Sequence, residues 1–385
     1  MATTVELGQY PFDRYPKVDP TELDRRCQKI RDELGQKLLI LGHHYQKEEV
    51  IVHADLRGDS YELAKRAASS TDCKTIVFCG VHFMAETAYI LANSPEKLAE
   101  RRGQRVQVIL PDMAAGCSMA DMANIDQVEE AWEELNELGL AEEITPVTYI
   151  NSAANLKAFC GRNGGIVCTS SNARKILDWA FARRKRVLFF PDQHLGRNTA
   201  LTMGISAEQM PIWDPFANEY GGTDLETLQN SQVLLWKGHC SVHQVFTREH
   251  IDTFRKTIPD IKILVHPECC REVNDAADLS GSTGFILKTI NEAPAGSKWA
   301  IGTELNMVNR LKQEHPEQEI HFLSPVVCFC ATMNRIDLPH LTWSLENLAA
   351  NRPVNLIEVD DETATEARTA LCRMMEVTEK GTTDL

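Results

Sequence analysis

The layout of this chain repeats three times, and that repeat limits the possible folds more than any single motif. Each pass opens on an apolar run ending in polar residues: KLLILGHHYQ at 37–46, ITPVTYINS at 144–152 and IKILVHPEC at 261–269. A small polar turn opening a helical stretch follows each: GDSYELAKRA at 58–67, CTSSNARKIL at 168–177 and GSTGFILKTI at 281–290. The intervals are similar, with 17 residues from His43 to Ser60, 21 from Tyr149 to Ser170 and 16 from His266 to Ser282. A second strand comes next (TIVFCG, RVLFFP, KWAIG), then a third run that reaches a cysteine each time: Cys117, Cys240 and Cys328.

Strands alternating with amphipathic helices predict parallel α/β units. The expected fold is α/β, with three pseudo-threefold-related three-layer α/β/α domains around a central cavity. The expected boundaries are 1–120 with an N-terminal helix, 121–245 with a loop-like insertion at about 204–230, and 246–385 with the C-terminal helices. In such sheets the carboxyl ends of the strands and the neighbouring helix N-termini face one crevice.

Twelve cysteines are present and none forms a CxxC pair, so neither a zinc ribbon nor a thioredoxin-like pair is indicated. A lone thiol is ordinarily a packing residue, which is the reading for Cys73, Cys79, Cys160, Cys168 and Cys372. Cys117, Cys240 and Cys328 differ because they recur in phase. Three thiolates from distant segments suit an iron–sulfur cluster better than zinc, which usually takes close-spaced ligand pairs. A four-iron cluster with three protein ligands keeps one iron open as a Lewis acid. The histidines of HHY (43–45) and HPE (266–268) read either as satisfied turn residues or as acid–base groups. Ser60, Ser170 and Ser282 read as helix N-caps that also present hydroxyls to an anion.

The net charge of −15 carries no long single-sign runs, which argues against general nucleic-acid or anionic-membrane binding. The opening MATTVELGQYPFDRYPK has no apolar h-region and no stretch has the length of a membrane helix, so a cytoplasmic protein is expected.

In order along 37–345, the motifs GHHYQ, GDS, FMAETA, LPDMAAGCSMAD, TYINS, TSSNA, PDQHLGRN, WKGHCSVH, HPEC, GSTG and CFCATMN closely resemble quinolinate synthase. The resemblance implies a transferase of de novo NAD biosynthesis. It would condense iminoaspartate with dihydroxyacetone phosphate to quinolinate, losing phosphate and two waters, with functional coupling to an L-aspartate oxidase. It implies a [4Fe–4S] cluster held by Cys117, Cys240 and Cys328, and substrate contacts from His43, Ser60, Tyr149, Asn151, Ser170, His266, Glu268 and Thr283. Ser282 joins Ser60, Ser170 and Thr283 as an anion anchor, Glu268 with His266 is the candidate general base, and Tyr45 and Tyr149 are candidate proton shuttles. Burial is expected to raise the pKa of Glu268 toward neutrality. Relatives write the last ligand motif CPxMxMN, whereas this chain has Cys328-Phe-Cys330-Ala-Thr-Met-Asn. The spacing to Met-Asn favours Cys328 and marks Cys330 as a spare thiol. The competing readings are another [4Fe–4S] hydro-lyase and a non-catalytic iron–sulfur sensor.

Overall fold

A computed structural model describes residues 9–69 and 72–380; the first eight residues of the opening stretch lie outside it. The described residues fall into two compact units, drawn from Met1–Gly116 with Ala331–Glu358 and from Cys117–Cys330 with Val359–Leu385. Among the described residues thirteen strands make three parallel sheets. In chain order they are β1 (Leu38–His43), β2 (Leu56–Gly58), β3 (Thr75–Cys79), β4 (Gln107–Ile109), β5 (Ile144–Tyr149), β6 (Ile166–Cys168) and β7 (Arg186–Phe190). They continue as β8 (Ile212–Trp213), β9 (Val233–Trp236), β10 (Lys262–Val265), β11 (Leu279–Ser280), β12 (Lys298–Gly302) and β13 (Glu319–Phe322).

The sheet orders are β2-β1-β3-β4, β6-β5-β7-β9-β8 and β11-β10-β12-β13, so the repeated layout of the sequence is a repeated topology. The first and third passes each hold one strand more than the three expected from sequence, and the middle pass two more. β2, β6 and β11 are only two or three residues long, too short for hydrophobic periodicity to reveal. Each pairs with the first strand of its pass, as in His43↔Gly58 and Tyr149↔Cys168, and leads into the polar turn. The central strands are largely apolar, and β1, β3 and β5 are buried along their whole length. That is the pattern of parallel strands covered by helices on both faces.

The segment 204–230 is more ordered than a loop. It supplies β8, an edge strand beside β9, and the short helix Leu225–Asn230. Of the C-terminal helices, Leu338–Ala349 packs on Pro20–Leu34 in the first unit. Asp361–Lys380 packs on Ala154–Arg162 beside β6 in the second. The second contact depends on Gly161, where a Cβ would come 2.0 Å from the carbonyl oxygen of Glu366.

Candidate active site

Two of the three sheets belong to the second unit, and the carboxyl ends of their strands meet around Glu268. The local cause is the turn after β10. His266 accepts the Glu268 backbone N–H at Nδ1 (3.4 Å), and its carbonyl accepts the Cys269 N–H (3.0 Å). The turn aims Glu268 at the other sheet, where Tyr149, the last residue of β5, donates its hydroxyl to Oε1 at 2.6 Å. His243 Nδ1 lies 2.9 Å from Oε2, and its ring stacks on that of His266 with centroids 4.6 Å apart. His243 Nε2 is 3.2 Å from the Thr303 hydroxyl at the end of β12. Glu268, His266 and His243 are all buried.

Electrostatics correct one expectation. Burial does push the Glu268 carboxyl up, but the imidazoles of His266 and His243 and the Tyr149 hydroxyl outweigh it, and the group is held below the usual carboxylate range. Burial pushes His266 down to about 3. At neutral pH the pair is therefore a carboxylate beside a neutral imidazole. With Nδ1 taken by the turn, His266 carries its proton on Nε2.

The cysteines approach the same point. The ligand atoms of Cys240, His243 and Glu268 lie within 4.8 Å of one another. Burial pushes the Cys117 thiol up to about 12, with Cys330 and Glu268 adding to the shift. Cys240 is likewise pushed well up, by burial first and then by Glu268 and by Cys117 and Cys330. The neighbouring hydroxyls of Ser118 and Ser241 stand 3.5 Å apart. Cys328 is raised by burial and by Glu304.

None of the three cysteines named from sequence sits at a strand end. β4 stops at Ile109 and β9 at Trp236, eight and four residues before Cys117 and Cys240, and β13 stops at Phe322, six before Cys328. The phase is kept on the other side. Cys117 and Cys240 each precede a short 3-10 turn by three residues (Ala120–Met122, His243–Val245), and Cys330 precedes Met333–Arg335 by the same three. Counted this way, Cys330 rather than Cys328 is the equivalent residue of the third pass.

The serine turns divide. Ser282 is a true N-cap, accepting the Phe285 N–H, and the buried Thr283 begins its helix. In the middle pass Asn172 holds the turn instead, accepting the Thr169 N–H at 2.6 Å. Ser170 there lines a cavity of about 450 Å³ together with Arg174, Asn198, Pro267 and Gly281. The Asn151 Oδ1 atom is buried without a hydrogen-bond partner, a group ready for a ligand donor. In the first unit His43, at the end of β1, repeats the His266 turn by accepting the Tyr45 N–H at Nδ1 (3.2 Å). The cap of the following helix there is Asp59, which accepts the Tyr61 and Glu62 N–H groups, so Ser60 is the first helical residue and not the cap.

Sequence reasoning missed His243 as the partner of Glu268, although it was visible beside Cys240 in GHCSVH. It also missed Asp192, a fully buried carboxyl raised by burial that caps the Gln193–Thr202 helix through the Leu195 N–H. Among the described residues no helix is long and apolar enough to cross a membrane.

An α/β protein of repeated topology, with a carboxylate and imidazoles buried at its strand ends and thiols in the loops beside them, is built like an enzyme that holds a metal centre. The family described as Quinolinate synthetase A protein matches residues 25–376. The chain is 67% identical to the quinolinate synthase of Rhodopirellula baltica over 368 residues, covering 96% of this chain and 94% of that one. It is 54% identical to that of Nocardioides sp. over 380 residues (97% and 93%) and 53% to that of Bacillus cereus over 366 (94% and 95%). The chain belongs to the quinolinate synthase family.

Proposed function

We propose that the chain condenses iminoaspartate with dihydroxyacetone phosphate to quinolinate, releasing phosphate and two waters, with a [4Fe–4S] cluster held by Cys117, Cys240 and Cys330. The observation that carries this reading is the set of buried groups around Glu268, with thiols from separate segments beside it. The donor chemistry fits such a group. Desolvation keeps the Cys117 and Cys240 thiols neutral, and they ionise only against a cation, which thiolate-preferring iron supplies. Cys330 is preferred to Cys328 because it keeps the phase of the other two cysteines and interacts with both. When bound, the cluster supplies a Lewis acid that makes hydroxide a better leaving group.

The remaining chemistry belongs to side chains. The Tyr149 hydroxyl hydrogen is committed to Glu268, so the phenol oxygen can take a proton from substrate and pass its own along the 2.6 Å bond to the carboxylate. His266, neutral with Nε2–H free of the turn, donates to a substrate oxygen. Asn151, Ser170, Ser282 and Thr283 orient carboxylate and phosphate groups at strand ends and helix starts. His43, Tyr45 and Ser60 are proposed substrate-site residues from the family motifs, with His43 preset by the same Nδ1 turn as His266. An imine hydrolyses in water, so supply by an L-aspartate oxidase working in the same cytoplasm is part of the proposal.

The test is an assay of anaerobically purified protein with freshly generated iminoaspartate and dihydroxyacetone phosphate. Formation of quinolinate with release of one phosphate is expected. A chain that dehydrates a hydroxyacid, or that holds a cluster and turns over neither substrate, overturns the proposal.

A further inference from the structure

The motif PDQHLGRN ends in Asn198, in the middle of the Gln193–Thr202 helix, far along the chain from HPEC. Its side chain is buried, and its amide nitrogen donates to two carbonyl oxygens, those of Pro267 and Cys269, both at 2.9 Å. These two carbonyls bracket Glu268. Both partners are acceptors, so the amide orientation is fixed and both of its hydrogens are used. The Cys269 carbonyl also accepts from Asn274 at 2.7 Å, and Asn274 Oδ1 in turn accepts the Ser280 hydroxyl at 2.5 Å. Nothing in proton transfer or metal binding requires this lattice.

Its place in the fold gives it a use. Asn198 rides on the five-stranded sheet, which also carries Tyr149, while Glu268 belongs to the four-stranded sheet of the same unit. The 2.6 Å Tyr149–Glu268 bond crosses from one sheet to the other, so it depends on their register. We infer that Asn198 is a positioning residue: by gripping the carbonyls of the residues on either side of Glu268 it holds the carboxylate in hydrogen-bond register with Tyr149, and Asn274 braces the Cys269 carbonyl from within the four-stranded half. A misplacement of about 1 Å at a reacting group can cost on the order of 100-fold in rate, so two buried hydrogen bonds spent on that register are well placed.

This inference rests on Glu268 and Tyr149 acting in the proposed reaction. Asn198→Asp keeps the shape of the side chain but replaces the donors with acceptors that repel both carbonyls. It should lower kcat about 10- to 100-fold with KM within about 2-fold, and leave cluster absorbance unchanged. Asn274→Ala, which removes only the brace, should lower kcat about 3- to 10-fold, and the double variant should be no worse than Asn198→Asp, because both act through one turn. A pure packing role predicts wild-type kcat for Asn198→Asp. That result, or a loss confined to KM or to cluster content, overturns the inference; should Asn198→Asp not fold, the Asn274→Ala kinetics decide it in the same way. If the wild type makes no quinolinate, the functional proposal fails on its own. A crystal structure of Asn198→Asp or Asn274→Ala then settles this point: loss of the Tyr149–Glu268 bond supports the inference, and an unmoved Glu268 overturns it.

Discussion

The loop after β9 and the loop after β13 both lead into candidate cluster cysteines, yet they are held very differently. The first is short and pinned. Trp236 is buried and donates its indole N–H to the Met122 carbonyl, the Gly238 carbonyl accepts the Gln193 N–H, and only three residues separate the strand end from Cys240. The second projects three apolar side chains into solvent, with Val326 65%, Val327 68% and Phe329 46% exposed. Its ties include the Ile301 carbonyl accepting the Leu323 N–H at its base, the Ser324 hydroxyl accepting the Val326 N–H and the Glu304 carboxyl accepting the Cys330 N–H at 3.4 Å. A pinned loop leaves marks in sequence: a glycine, an aromatic anchor and a fixed count. A loose loop leaves only a choice of thiols.

Gly238 gives the sharpest way to break the comparison. A Cβ there would lie 2.3 Å from the Pro191 carbonyl oxygen, and backbone cannot step aside as a side chain tip can. Gly238→Ala should therefore destabilise the protein by about 1–3 kcal/mol and lower its iron content, as read by thermal unfolding and metal analysis. Wild-type stability would mean that the first loop is not pinned. The opposite change in the second loop, Val326→Ser with Val327→Ser, should alter stability by no more than about 0.5 kcal/mol. A loss well beyond that would show that the exposed valines pack against something essential, and the contrast between the loops would collapse.

The same contrast explains how much the sequence revealed. The order of strands and turns was legible because buried parallel strands are continuous apolar runs, as in LLIL of β1 and ILV of β10. HPE and TYINS were legible because polar residues closing such runs have few structural reasons to be there. The direction of the Glu268 shift was not, since it depends on His243 and Tyr149 arriving from elsewhere in the chain. Nor were the caps: Asp59 and Asn172 hold turns whose serines looked like the obvious candidates. The matching phase of Cys330 was hidden by measuring from strand end to cysteine, a distance that varies, instead of from cysteine to the 3-10 turn, which is constant.

The third ligand is where the account is most exposed. The decisive measurement is iron and acid-labile sulfide per chain in Cys330→Ala and Cys328→Ala, each purified without oxygen beside the wild type. The account predicts that Cys328→Ala retains a full four-iron complement and that Cys330→Ala loses the cluster and its colour. A full cluster in Cys330→Ala with loss in Cys328→Ala would contradict it and return the ligand to Cys328.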